Sequence, residues 1–216
     1  MCKLVVRKES YKACSDGRGA KATFMKVVVF YATREGHTRH IAEHIADDLK
    51  TQKVEIDVYD VKTLLEPIDW SVYATACVAA SVHLGHHEPE MIAFAKRHRN
   101  ELEQLDAAFV SVTLSQAGAQ DSHRSAAERQ AAAADVQRMV DVFVHETGWQ
   151  PVHVLSVAGA LAYSQYNFVV RFVMKRIARQ QGAPTDTSRD YVFTDWQRLD
   201  QFVNDLVDGA RGRVGR

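Results

Sequence analysis

The segment Lys26–Leu49 constrains the fold of this chain more than any other part. An apolar run, Lys26–Tyr31, leads into a loop that contains Thr33, Gly36 and Thr38, and apolar residues then recur at helical spacing. A strand that passes through such a loop into an amphipathic helix is typical of α/β proteins. Gly36 allows a tight turn, and the unpaired N–H groups that open a helix attract anions. The segment therefore predicts a phosphate-binding loop after the first strand.

The residue types of this loop narrow the class of phosphate site. No Gly-Lys-Ser/Thr follows the strand, which excludes a Walker A loop, and a single glycine excludes the dinucleotide pattern with three glycines. Thr33, Gly36 and Thr38 form a Thr-x-x-Gly-x-Thr pattern that resembles the FMN-phosphate loop of flavodoxins. The alternative is an ordinary strand–helix turn with Thr38 as the N-cap of the helix.

Composition excludes several classes of function. The 27 Lys and Arg residues balance 27 Asp and Glu residues, so no global field recruits nucleic acid. Cys2, Cys14 and Cys77 lack metal-site spacing, and we expect no metal, a reduced setting and a cytoplasmic location. No apolar run approaches the roughly 20 residues that span a bilayer, and no signal peptide is evident. Residues 1–24 and 209–216 are predicted to be tails around a domain at 25–208.

Apolar strands alternate with helical patterns along this domain. The order predicts a doubly wound, mostly parallel α/β sheet. Helices are expected at Pro89 to about Leu102 and at about Ser122–Thr147, and a short helix near Val61–Leu65 could supply the second crossover. Strands are expected at Lys26–Tyr31, Val54–Tyr59, Val72–Ala80, Ala107–Leu114 and Val152–Ala158.

Three predicted loops follow the carboxyl ends of strands, where ligands bind in such sheets. We therefore expect them to meet at one edge and to form one pocket. They span Thr33–Thr38, Ser81–His87 and Ser111–Ser115.

The last strand is interrupted. After Ala158 the chain inserts about residues 160–190 before a second strand-like piece, Tyr191–Thr194, and a final helix. Within the insertion, residues 167–181 have helical periodicity, with a basic stripe opposite an apolar face. This stripe could contact an anionic membrane surface or an acidic substrate; the alternative is a helix packed on its own domain with a solvated basic face. The basic residues are Arg171, Lys175 and Arg179, with Arg176 near the border.

From Met25 to about Val207 the chain resembles the flavodoxin-type, menaquinone-dependent protoporphyrinogen IX dehydrogenases of bacteria. The matching stretches are Thr33–Thr38, Ala80–His86, Ala158–Tyr163, Gly182–Thr187 and Tyr191–Trp196. The last two are the most specific, because ordinary flavodoxins lack them. The resemblance implies a flavodoxin-like, five-stranded parallel sheet of order 2-1-3-4-5 whose last strand is split by the insertion.

The resemblance also implies a function: oxidation of protoporphyrinogen IX in haem biosynthesis by bound FMN, with menaquinone or ubiquinone as acceptor. Peripheral contact with the inner face of the cell membrane and a homo-oligomer are left open. Carried over by position, the FMN-binding residues would be Thr33, Arg34, Glu35, Gly36, His37, Thr38, Ser81, Val82, His83, Leu84, Gly85, His86, Ser111, Val112, Thr113, Leu114, Gly159, Ala160, Leu161 and Tyr163. Leu84 and Ala162 depart from the arginine or other polar residue common in the family, so the charge on the substrate side is not set by the resemblance.

The catalytic side chain is not identified by the sequence. His83, His86 and His87 are candidate bases, since imidazole titrates near neutrality; each could equally be an exposed loop histidine. Two other functions are weighed: a flavodoxin-type electron carrier or general FMN-dependent quinone oxidoreductase, and a flavin-free interaction module. The balanced charge disfavours a carrier, because carriers rely on an acidic docking face.

Overall fold

The most apolar segments of the chain form a central parallel sheet. In the computed structural model, which describes residues 25–161 and 186–214, the strand order is β2-β1-β3-β5-β6. The short β4 pairs only with β3, antiparallel to it, so the order 2-1-3-4-5 expected from the resemblance is confirmed. The strands are β1 Lys26–Ala32, β2 Glu55–Asp60, β3 Thr75–His83, β4 His86–His87, β5 Ala108–Thr113, β6 His153–Ala158, β7 Ala160–Leu161 and β8 Tyr191–Val192.

Helices cover both faces of this sheet. On one face α1 and α6 pack, and on the other α2, α3 and α5. Within residues 25–161 and 186–214 no helix is both long and apolar enough to cross a membrane. The helices are α1 His37–Thr51, α2 Pro89–Arg97, α3 Arg99–Gln104, α4 Leu114–Gln120, α5 Ala126–Thr147 and α6 Trp196–Val214, with a 3₁₀ turn at Trp70–Val72.

Strand β1 shows why its sequence is continuously apolar. Val27 and Val29 pack in the core beneath α1 and α6, whereas Val28 and Phe30 pack beneath α2 and α5. All four side chains are at most 1% exposed. A central strand that is buried on both faces is expected to read as a nearly continuous apolar run.

Two of the predicted helices are divided differently in the structure. The helix expected at Pro89 to Leu102 breaks at His98, whose ring packs against Trp70 and Phe94. The helix expected from Ser122 begins only at Ala126, and a separate helix, α4, starts directly after β5 in place of the predicted Ser111–Ser115 loop.

A capping box fixes the start of α5. The Ser125 hydroxyl accepts from the Glu128 N–H, and the Glu128 carboxylate accepts from the Ser125 N–H. This Ser-x-x-Glu pattern is readable in the sequence and marks the correct first turn.

The crossover helix suggested at Val61–Leu65 is absent from the structure. The Asp60 side chain accepts from the Lys62 N–H, and its carbonyl accepts from the Thr63 N–H. These bonds close a turn at the end of β2, which competes with helix formation. The connection instead runs irregularly to the 3₁₀ turn before β3.

The segment after the insertion does not continue β6 within the parallel sheet. Tyr191–Val192 pairs antiparallel with Ala160–Leu161, and the Phe193 N–H donates to the Gly159 carbonyl. The two ends of the insertion thus form a two-stranded antiparallel ribbon. Residues 162–185 of the insertion, including the predicted basic helix, lie outside the described residues.

The final helix continues past residue 208, where the sequence placed the domain boundary. Helix α6 extends to Val214, and the Ala210 side chain is fully buried. Residues 209–214 are therefore part of the folded domain rather than a tail.

The predicted loop Ser81–His87 is a β-hairpin. Strand β3 continues to His83, and Leu84 and Gly85 form a two-residue turn with φ values of 50° and 83° before β4. Both values lie in the left-handed region, as in a type I′ turn, where Asn-Gly is the preferred pair. Leu84 is also 94% exposed, so its side chain gains nothing by burial.

Replacing Leu84 with asparagine should stabilise the protein. Asparagine tolerates the left-handed conformation better than leucine, so we expect Leu84→Asn to raise the free energy of unfolding by about 1 kcal/mol. Urea unfolding of the cofactor-free protein measures this change. Leu65→Asn is the matched control, because Leu65 is 88% exposed and does not have a positive φ. An equal effect of both substitutions would contradict the strain at Leu84.

Candidate functional site

The predicted loops meet in one open cleft at the carboxyl edge of the sheet. The cleft is open to solvent, its cavity volume is ≈ 70 Å³, and residues from four strand ends line it. It combines hydroxyl, imidazole and carboxylate groups with small apolar side chains. Its lining residues are Thr33, Glu35, His37, Thr38, Ser81, Val82, His83, Val112, Thr113, Leu114, Gly159 and Ala160.

The loop between β1 and α1 is preorganised by its own hydrogen bonds. The Gly36 N–H donates to Thr33 Oγ1 at 3.0 Å, and Lys62 Nζ donates to the Thr33 carbonyl at 2.6 Å. Gly36, with a φ of 88°, holds the N-cap position of α1. A side chain at this position would be strained, which explains the glycine.

Thr38 lies inside the first turn of α1, so the alternative in which it caps the helix is wrong. Its side chain is 1% exposed, and Oγ1 has no hydrogen-bond partner among the described residues. A buried hydroxyl without a partner costs about 1–3 kcal/mol. This hydroxyl lines the cleft beside the free N–H groups of a helix start, where an anion would satisfy both.

His37 connects this loop to the segment after the insertion. Its Nε2 lies 2.7 Å from Thr194 Oγ1, and the Thr194 hydroxyl donates to the Ala158 carbonyl at 2.7 Å. Both bonds form when His37 carries its proton on Nε2. Burial, reinforced by the nearby His40, lowers the pKa of His37 to about 4, so the ring is neutral near pH 7.

His87 is a core residue rather than a base. It is 2% exposed, its Nε2 lies 2.9 Å from Ser111 Oγ, and its ring packs against both Phe109 and Phe143. Burial, reinforced by His86, lowers its pKa to about 3. The structure thus removes His87 from the candidate bases and shows that His87 anchors the hairpin.

Glu88 is a buried carboxylate that joins the loops around the cleft. Its side chain is 1% exposed, yet Ser81 Oγ donates to it at 3.2 Å and Arg34 at 3.3 Å. Lys62 Nζ lies 3.9 Å away. A buried carboxylate needs such partners, since desolvation of an unpaired charge is costly. Glu88 therefore ties the β1–α1 loop, the end of β2 and the end of β3 together.

The two remaining candidate bases have different surroundings. His83 Nε2 lies 3.1 Å from Glu35 Oε2 and 3.2 Å from Glu88 Oε1, and the ring lines the cleft. His86 has a side chain that is 64% exposed, and its Nδ1 lies 3.8 Å from Glu146. Only His83 of this pair lines the cleft.

The other predicted site residues that the structure describes do not line the cleft. Ser111 and Leu161 are fully buried, and Arg34 is directed to Glu88. Gly36, Leu84 and Gly85 lie in the turns beside it, and His86 is the first residue of β4. Tyr163, Arg171, Lys175, Arg176 and Arg179 lie outside the described residues.

Three residues at the cleft were missed by sequence reasoning. Glu88 stands between a strand and Pro89, a position at which a helix-start carboxylate is common, so no pattern distinguished it. Lys62 and Thr194 lie in irregular segments and act through contacts with residues distant in sequence. Only the folded arrangement identifies them.

Known proteins resemble this chain along most of its length. A family model described as a flavodoxin domain matches residues 28–188. The protoporphyrinogen IX dehydrogenase (quinone) of Escherichia coli K12 is 30% identical over 183 residues, 85% of this chain and 95% of that protein. The protein of the same name from Leishmania major is 31% identical over 84% of this chain and 74% of its own length. Oxidised flavodoxin 1 from Bacillus cereus is 18% identical, with 85% and 97% of the two chains covered and a TM-score of 0.43.

The buried His87 should make the protein sensitive to mild acid. Its folded pKa of about 3 lies below the ordinary 6.5, so the unfolded state binds the extra proton between these values and stability falls as the pH falls. From pH 7.5 to pH 5 we expect His87 to account for a loss of about 2 kcal/mol of unfolding free energy.

Urea unfolding of the wild type and of His87→Gln at both pH values isolates this contribution. Glutamine can still bond to Ser111 but does not titrate. The pH-dependent loss should therefore be about 2 kcal/mol smaller in the variant. Equal losses in the two proteins would refute the assignment to His87.

Proposed function

Because this chain belongs to the flavodoxin domain family, we propose that it binds FMN in the cleft and oxidises protoporphyrinogen IX, passing the electrons to a quinone. Flavodoxin domains have a flavin-binding fold. Two relatives that are named protoporphyrinogen IX dehydrogenase (quinone) match most of the chain. The 95% coverage of the Escherichia coli protein supports carrying over the activity of the whole protein.

One observation carries the cofactor assignment: the Thr38 hydroxyl beside the start of α1 has no hydrogen-bond partner in the part of the chain that the structure describes. A phosphate placed there would accept from Thr38 Oγ1 and from the unpaired N–H groups of the helix. Apart from its own chain neighbours, no atom of the described residues lies within 4 Å of the position of a Cβ on Gly36, so the backbone is accessible to a ligand. The residues present thus fit the phosphate of FMN.

The other walls of the cleft fit a flat ring system. The ends of β3, β5 and β6 contribute the backbone around Val82, Val112 and Gly159. These side chains are apolar and small, so a planar ring could lie against them and displace water. Bound FMN would supply hydride-accepting chemistry, while the chain supplies position and electrostatics.

Two cationic side chains lie beside the cleft, among the carboxylates of Glu35, Glu88 and Glu90. Arg34 has a side chain that is 53% exposed, and it faces solvent beside the cleft while it pairs with Glu88. Together with Lys62 it provides positive charge near the proposed ring site. We infer that these groups orient carboxylates of the porphyrinogen.

The quinone acceptor implies contact with a membrane surface, because long-chain quinones reside in the bilayer. We propose peripheral contact at the inner face of the cell membrane. The basic residues that the sequence offers for this role lie in the segment 162–185 and outside the described residues.

Reconstitution with FMN followed by an activity assay tests the proposed function. We expect a yellow protein that oxidises protoporphyrinogen IX only when menaquinone or ubiquinone is added. A protein that stays colourless would refute the flavin assignment. A yellow protein that a reductase reduces but that does not turn over porphyrinogen would be an electron carrier.

Removing the Thr38 hydroxyl should specifically weaken recognition of phosphate. A hydrogen bond to a charged group contributes about 1.5–3 kcal/mol, so Thr38→Val should weaken FMN binding roughly 10- to 100-fold. Riboflavin lacks the phosphate, and its affinity should not change. Fluorescence quenching on titration with each flavin measures both constants.

Thr75→Val is the matched control. Thr75 is fully buried at the start of β3, at the opposite edge of the sheet, and its Oγ1 also lacks a partner among the described residues. This substitution should leave the affinities for FMN and riboflavin unchanged. Equal losses of FMN and riboflavin affinity in Thr38→Val would contradict a phosphate contact.

A further inference from the structure

We propose that Glu35 and Glu88 are positioning residues that fix the proton of His83 on Nε2, which leaves Nδ1 as the base that accepts a proton from the substrate. This inference rests on the proposed function and adds to it the group that handles protons and the residues that prepare it.

The starting observation is the place of the His83 ring. It stands at the end of β3, where the hairpin turn begins, and its side chain is 23% exposed at the cleft. Nε2 is buried, whereas the ring as a whole remains accessible. One nitrogen thus faces the protein, and the ring can present the other to a ligand.

Two carboxylates surround the buried nitrogen. Glu35 Oε2 and Glu88 Oε1 lie 3.1 Å and 3.2 Å from Nε2. Neither contact is aligned as a hydrogen bond within the described part of the chain. Their negative charges still attract a proton to Nε2 by Coulomb forces, which are strong at this distance in a partly desolvated site. A neutral imidazole held in this tautomer has its lone pair on Nδ1.

Glu88 is itself held firmly. Its Oε1 accepts from Ser81, and its Oε2 faces Arg34 at 3.3 Å and Lys62 at 3.9 Å. The two cations offset the cost of burying a carboxylate that is 1% exposed. Glu35 is less constrained, with a side chain that is 28% exposed. The Glu88 carboxylate is therefore fixed in position, whereas the Glu35 carboxylate has more freedom to move.

This arrangement matches the proton balance of the reaction. Each two-electron oxidation removes from the substrate one hydride, for which the proposed flavin is the acceptor, and one proton. The proton goes to His83 Nδ1, and the imidazolium that forms is stabilised by both carboxylates. It returns to solvent through the exposed edge of the ring before the next oxidation.

The tautomer can be measured without cofactor or turnover. Nitrogen-15 NMR of imidazole-labelled apoprotein at pH 7.5 should show His83 protonated on Nε2. Glu35→Gln and Glu88→Gln each remove one charge and should shift the ring toward a mixture of tautomers. A wild-type His83 protonated mainly on Nδ1 would overturn the inference, whatever the activity of the enzyme.

Kinetics test the role of the ring. His83→Gln should lower kcat about 100-fold or more, as general bases contribute 10²–10⁴-fold, while KM for porphyrinogen changes little. Glu35→Gln and Glu88→Gln should lower kcat by about tenfold each, and imidazole added to His83→Ala should restore part of the rate. If His83→Gln keeps kcat within about twofold, the inference fails.

Glu90→Gln is the matched control for the carboxylates. Glu90 lies on α2, two residues after Glu88, and contacts the same Lys62 at 4.0 Å, but it does not contact His83. We expect unchanged kcat and an unchanged tautomer. Should Glu88→Gln fail to fold, Glu35→Gln carries the test. A wild type that binds no flavin refutes the proposed function alone, because the tautomer is read in the apoprotein.

Discussion

The parallel pairing of five strands is the constraint on which the rest of this structure depends. Parallel strands all end at the same edge, so the residues that follow β1, β3, β5 and β6 must meet there. Burial of both sheet faces makes the central strands mostly apolar. The polar groups that line the cleft therefore come from the strand ends and loops of that edge, and one edge of the sheet becomes the site.

Because the loops meet at one edge, their charged side chains lie close together. One buried carboxylate, that of Glu88, lies among the cationic ones. Glu88 is contacted by cationic groups from two other loops and by a hydroxyl of its own hairpin. Such a network fixes the relative positions of loops that no backbone ladder joins. The same contacts of Glu88 therefore compensate the charges at the cleft and hold its loops in place before a ligand binds.

The parallel sheet and the meeting of three loops at one edge could be predicted from strand periodicity and the direction of the chain, whereas the order of the strands was implied by the family resemblance. Long-range side-chain contacts could not be predicted, since no local pattern links Lys62 with Thr33 or His37 with Thr194. Helix boundaries failed where tertiary packing decided them, as at His98. The roles of the histidines could not be predicted either, because they depend on burial. His87 lies in the core, whereas His83, four residues earlier, lines the cleft.

The ribbon formed by β7 and β8 has a consequence for how this fold can change. Ala160 pairs with Val192 and Leu161 with Tyr191, so the two ends of the insertion lie beside each other. The entropic cost of closing a loop grows only logarithmically, about 0.6 kcal/mol for each doubling of its length. Insertions of different lengths can therefore be exchanged between these two strands without moving the strand ends that form the cleft. The ribbon is therefore a position at which one flavodoxin-like domain can accept a different inserted segment, by evolution or by protein engineering.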